Sequence, residues 1–117
     1  IVAVAGLSSH AISPVKSCVD CSYKLREIAN SQSMPWNLHL GIHSGSLVAG
    51  TVGTKTVQFD ILGKTVNVAF NICDMSESNQ ILISSDAWMT ARNEIKVKSI
   101  GLKRLKSGQD IEMLECV

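Results

Sequence analysis

Gln58-Phe59-Asp60-Ile61-Leu62-Gly63-Lys64-Thr65-Val66-Asn67-Val68-Ala69-Phe70-Asn71 is the stretch on which the reading of this chain turns. It reads as strand, turn and helix. Phe59 and Ile61 alternate with Gln58, Asp60 and Leu62 in a short extended run. Gly63 breaks that run, and Thr65 is placed to cap a helix in which Val66, Ala69, Phe70 and Cys73 recur at helical spacing. The polar residues carry more information. Asp60 stands just before the break, where a side chain meets the end of a sheet. Asn67 and Asn71 are four apart and stack on one helix face. Asparagine is a poor helix former, so two on one face call for a reason other than helix stability.

Upstream, Leu38, Leu40 and Ile42 alternate with His39, Gly41 and His43, which predicts a strand with one apolar face. Four apart on a strand, the two histidines stand roughly 13 Å from each other, too far for one metal ion. They read as surface or interface histidines. Gly41, Gly45, Gly50 and Gly53 punctuate residues 41–53, as in a bent strand that packs closely, and their spacing is not that of a phosphate loop. Nearer the N-terminus, Ser13-Pro14 opens a helix with an apolar stripe of Val15, Cys18, Ser22, Leu25, Ile28 and Ala29, fading by Asn30 to Ser33. The apolar run of residues 1–7 predicts a buried strand entered midway, and so a fragment of a longer domain.

Downstream, Ile81-Leu82-Ile83 predicts a short strand, Asp86 to Arg92 a helix of about two turns, and Ile95 to Lys98 another strand. Gly108-Gln109-Asp110 is a hairpin-like turn between the last two extended runs, residues 100–106 and 111–117.

Composition narrows the class. The 117 residues allow one domain at most, and 45% hydrophobic content with 18% charged residues suits a packed core. A net charge of +1 gives no bulk attraction for nucleic acid or anionic membrane. No apolar run is long enough to span a bilayer. Six basic residues fall between Arg92 and Lys106, but Tyr23, Phe59 and Phe70 are not grouped into a stacking platform, so a nucleic-acid reading is weak. Cys18 and Cys21 form a CxxC without a second pair, so they read as small core fillers on a helix, not as a zinc site. Unpaired thiols suit a reducing, cytoplasmic setting.

The segment Phe59-Asp60-Ile61-Leu62-Gly63-Lys64-Thr65-Val66-Asn67-Val68-Ala69 resembles the nucleotide-site segment of class III adenylyl and guanylyl cyclases. The family pattern is aromatic, Asp, aliphatic, any residue, Gly, two residues, then Val-Asn-x-Ala-x-Arg. The chain keeps it to Ala69 and departs at Asn71, where the family has Arg. The resemblance implies an α+β, ferredoxin-like sandwich of the nucleotide cyclase type, truncated at its N-terminus. Its sheet is mostly antiparallel, with helices on one side. It assigns residues 1–117 to a partial cyclase catalytic domain.

It also implies an activity: ATP converted to 3′,5′-cyclic AMP and pyrophosphate in intracellular signalling. Asp60 would accept from the adenine amino group beside the Ile61 backbone, since a carboxylate is an acceptor. Asn67 would orient the ribose. Lys106, before Ser107-Gly108, resembles the lysine that reaches the terminal phosphates. The Mg²⁺ or Mn²⁺ ions of the family would take their aspartate ligands from upstream of Ile1, so the resemblance names no metal ligand in this chain. A second cyclase domain would complete the site. The family's Arg stabilises transition-state charge, and losing such a donor costs about 10²–10³ in rate. Asn71 in that catalytic position therefore keeps a second reading open: an impaired cyclase-like domain that dimerises or senses nucleotide.

Overall fold

Ile81, Leu82 and Ile83 have 0%, 1% and 0% of their surface exposed. Successive strand residues point to opposite faces, so a run buried throughout needs cover on both. The computed structural model provides that cover. It describes residues 2–6, 13–33, 35–46, 48–52 and 58–117, with the backbone alone for 48–52 and 58–62. The elements run α1 (Pro14–Asn30), β1 (His39–Ile42), β2 (Val48–Val52), β3 (Gln58–Leu62), α2 (Lys64–Met75), β4 (Gln80–Ser84), α3 (Ser85–Met89), β5 (Val97–Arg104) and β6 (Asp110–Cys116).

A four-stranded sheet has the order β1-β4-β6-β5, and β2 pairs with β3 in a second, two-stranded sheet. β1 and β4 are parallel, while β4–β6, β5–β6 and β2–β3 are antiparallel. The architecture is the expected α+β sandwich with a mostly antiparallel sheet. The helices, however, lie on both sides of it. Val15 and Val19 of α1 and Ala87 of α3 pack with Ile81, Ile83, Leu114 and Cys116. Val68 and Ile72 of α2 pack with Leu82, Ile111 and Met113 on the other face. The uninterrupted apolar triplet in β4 required this.

Local chemistry fixes the junctions. Asn79, in the left-handed region at φ 63°, donates its N–H to the Leu38 carbonyl at 2.6 Å, and its side-chain oxygen accepts from the Leu38 N–H at 3.2 Å. The start of β4 is thereby fastened to the start of β1. Gly41 lets α2 lie against β1: a Cβ there would stand 2.4 Å from the Cys73 nitrogen and 2.8 Å from the Ala69 carbonyl oxygen. The C-terminus is tied to α1 by the Tyr23 hydroxyl, which donates to the Val117 carbonyl at 2.7 Å.

Several expectations are corrected. Residues 2–6 form no strand, and Val2 is 48% exposed; an apolar run of that length reads equally as a packing segment. The expected bent strand of the glycine region is two strands, β1 and β2, parted by irregular residues 43–46. On α1 the buried stripe is Val15, Val19, Ser22 and Ala29, while Leu25 and Ile28 are exposed and Cys21 is no core filler. α3 is shorter than two full turns, running only from Ser85 to Met89. The strand at Ile95 to Lys98 and the extended run beyond it merge into β5, with a bulge between Ser99 and Gly101. Ile1, Leu7 and Gly53 lie outside the described residues.

Candidate functional site

Residues 58–75 do form strand, turn and helix. Gly63 makes the break with φ 138°, a value that disfavours any side chain, and it occupies the N-cap position of α2. Thr65 is therefore not the cap. It sits inside the first turn, and its hydroxyl donates to the Ser46 carbonyl at 2.6 Å, fastening the loop after β1 to the helix. In β3, Asp60 pairs with Gly50 and Ile61 with Ala49 across the ladder to β2. The side chains of Asp60 and Ile61 lie outside the described residues.

At 100° per residue, α2 divides into three faces. Val68 and Ile72 turn to the sheet, at 5% and 0% exposure. Val66, Ala69, Phe70 and Cys73, the stripe at helical spacing, line an apolar groove of about 910 Å³ shared with α1, β1 and residues 2–5. The remaining face carries Asn67, exposed, and Asn71, half-buried. Asp74 lies three residues after Asn71 on that same face.

Lys106 arrives at this face from the β5–β6 turn. Its Nζ donates to Asp74 Oδ2 at 3.2 Å. The turn beneath it is anchored: Leu105 is buried against Val68 and Ile72, its N–H donates to the Gln109 carbonyl at 2.8 Å, and the Gly108 N–H donates to the Leu105 carbonyl at 2.9 Å. The fold thus gathers Asn67, Asn71 and Lys106 along one helix face. Sequence reasoning does not find Asp74; its only signal is its place on the Asn67–Asn71 face. Of the five other basic residues in this region, Arg104 pairs with Asp110 at 3.0 Å and all are exposed, as a solvated surface would be.

His39 and His43 lie apart from this face. His39 Nδ1 is 2.8 Å from the Ser76 carbonyl. His43 Nδ1 is 2.7 Å from Ser84 Oγ, which also accepts the Ala87 N–H as the cap of α3. Burial holds the His43 pKa below its ordinary value, against a smaller opposing pull from Asp86. All four cysteines are free, and burial pushes the Cys116 thiol up to about 11. Among the described residues no group of three His, Cys, Asp or Glu side chains could hold a metal ion. No helix among the described residues is long and apolar enough to cross a membrane.

Comparison with known proteins gives the lineage. The family model "Adenylate and Guanylate cyclase catalytic domain" matches residues 1–114. "Soluble guanylate cyclase gcy-31" of Caenorhabditis elegans is 34% identical over 77 residues, covering 66% of this chain and 10% of that protein. "Adenylyl cyclase X E" of Drosophila melanogaster is 34% identical over 70 residues, covering 56% of this chain and 6% of that protein. The solved guanylate cyclase domain of RhGC from Catenaria anguillulae, in complex with GTP, superimposes with a TM-score of 0.90 at 18% identity, over 97% of this chain and 64% of that one. At that identity the likeness is one of fold. The chain spans about a tenth or less of these curated relatives and under two thirds of the solved domain. The chain belongs to the adenylate and guanylate cyclase catalytic domain family.

Proposed function

We propose that this chain is the base-, ribose- and phosphate-handling part of a class III adenylyl cyclase that turns ATP into 3′,5′-cyclic AMP and pyrophosphate. The observation that carries the reading is the single face of α2 on which Asn67 and Asn71 lie and to which Lys106 is brought. In the reaction the ribose 3′-hydroxyl gives up its proton to solvent, its oxygen bonds to the α-phosphorus, the bond from that phosphorus to the α,β-bridging oxygen breaks, and pyrophosphate leaves. Asn67 orients the ribose by hydrogen bonding. Lys106 offsets phosphate charge as a compact cation. Asp60, the central residue of β3, accepts from the adenine amino group alongside the Ile61 backbone. The magnesium or manganese ion used by such chemistry would need ligands from outside the described residues. A second cyclase domain would complete the site, and free thiols fit a cytoplasmic setting.

The choice of ATP over GTP rests on Asp60, a pure acceptor when ionised. Titration of the protein with each nucleotide checks it: ATP should bind more tightly than GTP, and Asp60→Cys should narrow the difference. Equal affinity for both, unchanged in the variant, would remove the adenine assignment.

Asn71 favours a second reading, in which the domain binds nucleotide and turns it over poorly. An amide donates a hydrogen bond but brings no charge. If the parent protein is a cyclase limited by that deficit, Asn71→Arg should raise kcat about tenfold or more with little change in KM, below the roughly 10³–10⁵ of an evolved arginine finger. Cyclic AMP formation by the parent and by the variant decides the matter. Inert proteins that still bind ATP would establish the nucleotide-sensing module in place of the enzyme.

A further inference from the structure

Lys106 does not wait with a free ammonium. Asp74 already holds it at 3.2 Å, and both side chains are exposed, 77% for Lys106 and 54% for Asp74. Seven residues separate Asp74 from Asn67, on the order of 10 Å along the helix axis, so the carboxylate draws the ammonium toward the far end of the face. Leu105 seats the turn in the core and two backbone hydrogen bonds close it, whereas the Lys106 side chain is exposed and has room to swing.

We propose that Asp74 is a positioning residue that restrains Lys106, so that a nucleoside triphosphate must win the ammonium from a competing carboxylate. The proposal rests on the phosphate-binding reading of Lys106. The physical basis is charge competition. A polyphosphate carries more negative charge than one carboxylate and displaces it, at the cost of the pair that is broken. Exposed pairs are weak and salt-screened, so the restraint moderates affinity without abolishing it.

The test is a double-variant cycle on the protein, titrated with ATP and with tripolyphosphate as a probe that has no base. Asp74→Asn should tighten both ligands roughly two- to fivefold at low salt, and the gain should shrink as salt is added. In a Lys106→Ala background the same substitution should gain almost nothing. An equal gain in that background would mean that Asp74 acts through its field alone, and the proposal falls. Weaker binding by Asp74→Asn would mean that Asp74 aims Lys106 at the ligand, which also overturns it. Ammonium NMR on lysine-labelled protein without nucleotide provides an independent arm. Lys106 should exchange with water more slowly than Lys103, and Asp74→Asn should erase the difference. Identical exchange in both proteins would show that the pair is absent and refute the restraint. An ammonium signal that responds to Asp74→Asn, with no polyphosphate bound by any variant, would retire the phosphate reading and the competition together while leaving the pair intact.

Discussion

Replacing Gly41 by alanine tests how the candidate site is held. Its added methyl would lie 2.4 Å from the Cys73 nitrogen, 2.8 Å from the Ala69 carbonyl oxygen and 2.9 Å from Cys73 Cα. These are backbone atoms of α2, so no rotamer change relieves the contact and the helix must move. Overpacking of this kind costs about 1–3 kcal/mol. Alanine also restricts the unfolded chain, which returns about 0.4–1 kcal/mol. The net loss is then about 1–2 kcal/mol, or roughly 3–10 °C in Tm for a domain of this size. Thermal and urea unfolding followed by circular dichroism measure it. Gly101→Ala is the control. Gly101 has φ +89° and no neighbour within 4 Å of an added Cβ, so its variant suffers backbone strain and leaves α2 in place. Nucleotide affinity should therefore drop in Gly41→Ala beyond what Gly101→Ala shows. A Gly41→Ala protein as stable as the parent sequence, with unaltered Asn67 and Asn71 resonances, would refute the argument that this glycine sets the seat of the helix.

Buried titrating groups give two further outcomes. His43 has its pKa lowered by burial, so the folded protein takes up the ring proton later than the unfolded chain as pH falls. Its contribution is complete above about pH 6.5 and is lost as pH falls through the depressed folded value. The Tm should therefore decline on acidification more steeply in the parent sequence than in His43→Gln, and parallel slopes would exclude the histidine. Among the thiols, alkylation at pH 8 should label exposed Cys21 first, half-buried Cys18 and Cys73 more slowly, and Cys116, with its pKa near 11, only on unfolding. Mass spectrometry of a time course reads the order, and native labelling of Cys116 at the rate of Cys21 would contradict it.

Much of this fold is legible in the sequence because local chemistry and tertiary structure agree. Ser13-Pro14 starts α1, Gly63 separates β3 from α2, and the turn at Gly108 joins β5 to β6. Choices made between distant segments are not legible in this way. Periodicity offers α2 two apolar stripes. The longer one, Val66, Ala69, Phe70 and Cys73, looks like core, whereas Val68 and Ile72 turn to the sheet. The clue lies in Ile81-Leu82-Ile83: a strand apolar on both faces needs helices on both, but the triplet by itself announces only a strand. The Asp74–Lys106 pair spans 32 positions, and nothing local in either segment announces the other.

Which stripe faces the sheet decides the geometry of the site. The two apolar stripes of α2 lie roughly a third of a revolution apart at 100° per residue. Seating the helix on the other stripe would carry Asn67 and Asn71 to its opposite flank, away from the turn that bears Lys106. Two features hold the observed rotation: Ile72, fully buried against the sheet, and Gly41, which admits the Ala69–Cys73 backbone to β1. Neither is a polar group, and neither lies in the segment 59–71 that carries the two amides. The motif supplies the amides, but a distant glycine on β1 and a buried isoleucine decide which way they face. A catalytic repair at Asn71 therefore depends on this seating. Asn71→Arg can gain rate only while α2 keeps the rotation that Gly41 permits, so combining it with Gly41→Ala should forfeit most of the gain.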